Sequence, residues 1–155
     1  MNRLTKKLFE LKKENKKALV SYLVGGDPDI ESTLELMKLL VDSGTDIIEI
    51  GVPFTDPIAE GPIIQKAHDR ALGNNISLKT IYKIADKFRD FDNETPLVLM
   101  GYLNTFIFYK QLIEENKNNV IDSVLVVDIP GELNLKDYGI ANKNINTISL
   151  ISPTT

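Results

Sequence analysis

The sequence predicts an α/β fold built on a parallel sheet, and three observations carry that prediction. Short apolar runs alternate along the chain with helical patterns, which is how successive βα units read. The run IIEIGV from Ile47 is nearly unbroken, as expected of strands covered on both faces. The 155 residues, 43% hydrophobic and 26% charged, suffice for one domain with a real core. Two architectures fit: a doubly wound open sheet, or part of an eight-stranded βα barrel, which needs about 250 residues when complete. Length favours the open sheet. Against it, no strand is followed by a GxGxxG or GxxxxGK[ST] loop, so its nucleotide-binding versions lack their fingerprint.

Leu4, Leu8 and Leu11 recur at helical spacing and predict an amphipathic helix over about residues 3–14, with its lysines as a solvated face. The first strand covers residues 18–24 and ends in Gly25-Gly26-Asp27-Pro28. This turn leads into a helix over 30–42, which Asp29 caps and Gly44 stops. Leu34, Met37, Leu40 and Val41 form its apolar face. Strand two covers 46–52, a helix follows over 63–72, and another begins behind Ser77 and runs to about 88. Strand three covers 96–100, a helix 109–116, strand four 123–128, a weaker helix 133–142, and strand five about 146–151. No repeat, linker or low-complexity segment interrupts the series, so residues 1–155 read as a single domain.

The formal net charge of −4 argues against nucleic acid or an anionic membrane as a partner. With no cysteine there are no disulfides or thiolate metal sites, which is compatible with a reducing compartment; a cytoplasmic setting is expected. No apolar run approaches the ~20 residues that span a bilayer, and the basic N-terminus lacks the apolar core of a signal peptide.

Chemistry is expected along DIIEIGVPFTDPIAEGPIIQ, residues 46–65. Alternation puts Ile47, Glu49 and Gly51 on one face of strand two and Ile48, Ile50 and Val52 on the other. Glu49 is then buried on either face. Because an unpaired buried charge is costly, the expectation is a carboxyl with a raised pKa, suited to taking and giving a proton. Glu60, in the loop leaving the same strand, can supply a second acid in a different environment, although loop acids are most often merely solvated. Asp56 beside Pro57 reads as a turn former. His68, the only histidine, lies in a helical pattern without a nucleophile partner and reads as surface or packing. No His/Asp/Glu cluster has metal-ligand spacing. Tyr22, Met100 and Tyr102, near strand ends, can line an apolar pocket.

The block DSGTDIIEIGVPFTDPIAEGPIIQKAHDRAL, with LVGGDPDIESTLELMKLL before it and LVLMGYLN and IDSVLVVDIP after it, closely resembles the tryptophan synthase alpha chain family. The resemblance implies a TIM (β/α)8 barrel of which this sequence holds about the first five βα strands. It implies retro-aldol cleavage of indole-3-glycerol phosphate to indole and glyceraldehyde 3-phosphate, in an α2β2 assembly with a beta chain. No cofactor is then expected in this chain; pyridoxal phosphate is expected in the beta chain. By position, Glu49 matches the family's acid/base, and Glu60 stands where the family has an aspartate that holds and deprotonates the indole nitrogen. That change adds a methylene and moves the charge by more than about 1 Å. Tyr22, Met100, Tyr102, Leu125, Val127 and Leu150 match or replace residues of the indole pocket. Pro53, Asp56, Pro57 and Asn104 match positions facing the beta chain. The family's lid and phosphate-binding loops, after strands six to eight, have no counterpart, so a piece of a longer product is expected. A catalytically impaired subunit that only supports a beta chain is the competing expectation.

Overall fold

In the computed structural model, described for residues 2–130, 132–140, 144–151 and 153, five strands form one parallel sheet. They are β1 (Val20–Val24), β2 (Ile47–Gly51), β3 (Leu97–Gly101), β4 (Ser123–Val126) and β5 (Asn146–Ile148). Spatial order follows chain order, β1-β2-β3-β4-β5. A doubly wound sheet must reverse its strand order at a switch point; this one never does. Right-handed crossovers in an unreversed order put every helix on the same side, which is barrel geometry.

The helices are α1 (Arg3–Lys13), α2 (Ile30–Asp42), α3 (Pro62–Gly73), α4 (Leu78–Phe91), α5 (Leu103–Phe108) and α6 (Lys110–Glu115). Their starts follow the local chemistry. Asp29 accepts from Ser32 N–H at 2.8 Å, Ser77 and Thr80 form a reciprocal capping box, and Pro62 occupies the first turn of α3. Met37, Ala71, Ile81, Phe88, Phe106 and Ile113 pack against the β2, β3 and β4 side chains Ile48, Ile50, Leu99 and Val124. The other face of the sheet carries Ile47, Glu49 and Gly51 beside Val98, Met100 and Leu125, in register across the strands. Leu4 of α1 closes its lower end against Ile47, Val98 and Leu125. On the outside, Arg70 of α3 makes a bidentate pair with Asp27 in the loop after β1, both contacts at 2.7 Å.

Three expectations need correction. The helix expected over 109–116 is α6, but a helix that the sequence did not announce, α5, precedes it, and the two are joined at Tyr109, whose φ of −102° and ψ of 20° break the turn. The wholly buried Phe106 anchors α5. The helix expected over 133–142 is a single 3-10 turn, Leu135–Tyr138, stopped by Gly139 at φ 71°; residues 141 and 142 lie outside the described residues. β5 ends at Ile148 rather than near residue 151.

Candidate active site

Glu49 projects from the centre of β2 onto the inner face, between Tyr22 of β1 and Val98 of β3 in register. It is half-buried rather than buried, because five strands flank it without closing round it. Among the described residues nothing hydrogen-bonds to its carboxylate, and burial alone pushes its pKa up. The adjacent inner-face position is Gly51, where a Cβ would stand 2.1 Å from the Tyr22 hydroxyl. Glycine there is what lets the phenol lie across β2. That hydroxyl is buried without a hydrogen-bond partner among the described residues. Burial raises its pKa, and the charges of Glu60 and then Glu49 raise it further. One phenol therefore senses both acids.

Glu60 sits at the end of the β2–α3 loop with a side chain only 5% exposed, so it is not the solvated loop acid that composition favours. Its Oε2 accepts from the Tyr102 hydroxyl. Tyr102 is itself fixed: its oxygen accepts from Ala59 N–H at 2.9 Å, and its ring stacks on Phe54 with centroids 4.5 Å apart. Burial and then the bond to Glu60 push the Tyr102 hydroxyl up to about 12. Gln65 Nε2 donates to the Glu60 carbonyl at 2.8 Å and fastens the loop to α3.

His68 corrects the sequence reading on one point. It is wholly buried on α3 and faces Glu60 rather than the surface. Its Nδ1 accepts from Phe54 N–H at 3.0 Å, and its Nε2 lies 4.0 Å from Glu60 Oε1. Desolvation lowers its pKa, opposed by Glu60 and then Asp69. A lone histidine three residues past Gln65 gave no periodic signal; only the fold of the loop brings it to Glu60.

Of the remaining expected pocket residues, Met100, Leu125 and Val127 line the same inner face as Glu49, and Tyr102 closes its upper edge. Leu150 lies beyond β5 and is 53% exposed. Among the expected partner-facing residues, Pro53 is buried, Pro57 half-buried, and Asp56 and Asn104 exposed. Large apolar side chains on the same loop, on α3 and on α5 also lie at the surface: Ile58 is 74%, Ile63 78% and Phe108 79% exposed. Among the described residues no group of three or more His, Asp or Glu side chains could hold a metal ion, and no helix is long and apolar enough to cross a membrane.

Comparison with known proteins gives one family. The family profile described as tryptophan synthase alpha chain matches residues 8–155. The tryptophan synthase alpha chain of Thiobacillus denitrificans is 46% identical over 159 aligned residues, covering all of this chain and 58% of the relative. That of Neisseria meningitidis serogroup B is 47% identical, covering 90% of this chain and 54% of the relative. The crystal structure of the alpha chain from Legionella pneumophila superposes with a TM-score of 0.90 at 40% identity, over 100% of this chain and 59% of that one. A chain of the Pyrococcus furiosus tryptophan synthase complex superposes with a TM-score of 0.78 at 38% identity, over 89% and 57%. The chain thus spans rather more than half the length of the relatives it matches.

Proposed function

The chain belongs to the tryptophan synthase alpha chain family, and from that premise we propose that it forms the acid/base half of a site that cleaves indole-3-glycerol phosphate to indole and glyceraldehyde 3-phosphate. The observation that carries the proposal is Glu49: an unpaired, desolvated carboxyl on the inner face of β2, beside a phenol that senses a second acid. Catalytic groups of βα barrels sit at the C-terminal ends of strands; Glu60 lies in the loop leaving that end of β2, and Glu49 projects from the strand's centre on the inner face.

A raised pKa keeps Glu49 protonated long enough to deliver its proton to the indole carbon bearing the glycerol side chain. Positive charge then develops on the ring nitrogen, where Glu60 accepts the N–H. The Glu49 carboxylate next takes the proton of the adjacent glycerol hydroxyl. The C–O bond becomes a carbonyl, the C–C bond breaks, and its electron pair returns to the ring. Glu49 ends protonated, as it began. Met100, Leu125 and Val127 supply an apolar wall for the indole, which strengthens both electrostatic contacts by excluding water.

The same reading gives this chain a beta-chain partner in an α2β2 assembly, docked on the loop of Pro53, Asp56 and Pro57 and on Asn104 of α5. The exposed Ile58 in that loop, Ile63 at the start of α3 and Phe108 at the end of α5 support it, since large exposed apolar side chains are what an interface would cover. Pyridoxal phosphate belongs to that partner, and a cytoplasmic setting fits both. The test is indole release from indole-3-glycerol phosphate by the full chain with its beta partner. Release that vanishes in Glu49→Gln supports the proposal; a Glu49→Gln protein with undiminished release overturns it.

A further inference from the structure

We propose that His68 is a positioning residue for Glu60: its Nε2–H is aimed at Glu60 Oε1 and fixes the carboxylate's orientation toward the substrate. The proposal rests on the role given to Glu60 above. The ring's protonation pattern follows from its contacts. A backbone N–H can only donate, so Nδ1, which accepts from Phe54 N–H at 3.0 Å, carries the lone pair, and the neutral imidazole holds its proton on Nε2. That proton faces Glu60 Oε1 across 4.0 Å. Among the described residues neither atom has a hydrogen-bond partner, and both are buried.

The rest of the carboxylate is anchored. Oε2 is held by Tyr102, which Ala59 N–H and the Phe54 ring hold in turn. Pivoting about Oε2 needs to close the gap to His68 by only about 1 Å to reach hydrogen-bond distance. A glutamate has one more rotatable bond than an aspartate, so one anchored oxygen leaves more orientations open; a second anchor removes them. Burial holds the ring neutral against the pull of Glu60, which suits an orienting donor rather than a counter-ion. The same ring clamps the start of the β2–α3 loop, at Phe54, to its end, at Glu60.

Two measurements test this. The first is kcat for indole release by the full chain carrying His68→Leu or His68→Gln, each with Glu60 and with Glu60→Asp. With Glu60, His68→Leu lowers kcat about tenfold to a hundredfold, as sub-ångström misplacement does. His68→Gln, whose amide can both accept from Phe54 and donate to Glu60, restores most of it. With Glu60→Asp the carboxylate no longer reaches His68, so His68→Leu changes kcat by less than about threefold, the non-additivity expected of contacting residues. An equal fall in both backgrounds, or no rescue by glutamine, makes His68 merely structural and overturns the proposal. The second is the imidazole nitrogen-15 spectrum of the unaltered chain, with the ring identified by its loss in His68→Gln. A protonated Nε2 whose signal shifts in Glu60→Gln supports the proposal; a protonated Nδ1 overturns it even if His68→Leu does not fold. Full activity in Glu60→Gln overturns the role of Glu60 itself, and the positioning role with it. Lost activity in Glu60→Gln with none lost in His68→Leu overturns the positioning role alone.

Discussion

The two ends of the sheet treat buried carboxylates in opposite ways. At the N-terminal end Asp122, just before β4, is 1% exposed and has both oxygens engaged. Oδ1 accepts from the Arg3 backbone N–H at 3.3 Å and guanidinium at 3.1 Å; Oδ2 accepts from Arg89 and from Leu97 N–H, both at 3.0 Å. This network ties α1, α4 and β3 to the foot of β4, and burial, assisted by Arg3, pushes the Arg89 guanidinium down to about 10. Towards the C-terminal end, among the described residues, the half-buried Glu49 of mid-β2 has no hydrogen-bond partner, and Glu60 Oε1, His68 Nε2 and Tyr22 Oη are buried without one. A buried polar group is costly unless paired. One end meets that cost with partners and gains stability; the other leaves it standing, as the proposed acid/base role requires.

The sharpest way to break this contrast is to exchange an acid at each end. Glu49→Gln is expected to lower kcat for indole release by about 10²–10⁴-fold, the usual worth of a general acid/base, while leaving the urea midpoint unchanged or raised. Asp122→Ala is expected to cost about 3–5 kcal/mol in urea unfolding, because it strands Arg89 in the interior. The kcat of the folded fraction should stay within about threefold of normal, as for a residue at the foot of the barrel. A swap of these outcomes would dissolve the distinction.

The pH dependence of stability sharpens it further. Burial pushes Asp92, near the foot of β3, upward, but bonds from the Thr95 hydroxyl and the Thr95 and Glu94 N–H groups outweigh that and hold it below its ordinary 3.8. Its contribution is therefore present above pH 3.8 and lost as pH falls through the lower folded value. Glu49 runs the other way: raised above 4.5 by burial, it favours the folded state below that pH and loses the contribution as pH rises through its folded value. Urea midpoints across pH should show Asp92→Asn flattening the acid limb and Glu49→Gln flattening the loss above 4.5. The smallest effect is expected of Tyr22→Phe, which removes an unpartnered hydroxyl. Thermal unfolding should show stability unchanged or higher by up to about 1 kcal/mol.

Most of the sheet was legible because β2 and β3 announce themselves as apolar runs, and α2 was legible at both ends because Asp29 and Gly44 are unambiguous punctuation. Glu49 stood out for a local reason: it is the one charge within an Ile-rich run. The stretch after β3 was not legible, since Leu103 and Phe106 are too few to show a period across a break at Tyr109. Asp122 escaped notice, and His68 was noticed without its role, because their partners are distant in sequence. Arg3 lies 119 positions from Asp122, and Phe54 lies 14 before His68. What periodicity conveys is which face a residue takes. What it leaves out is which remote group that face will meet.

The bidentate pair of Arg70 with Asp27 has a consequence for the acids that its exposed position hides. Arg70 and His68 are two residues apart on α3, so they leave the helix about 200° apart. One grips the loop after β1 at 2.7 Å, and the other grips the loop after β2 at 3.0 Å. The helix is thus a spindle held from opposite sides. A turn of α3 that loosens Asp27 must also swing the imidazole away from Phe54 and Glu60. A change at the outer surface of the first loop is felt as a change in aim at the second.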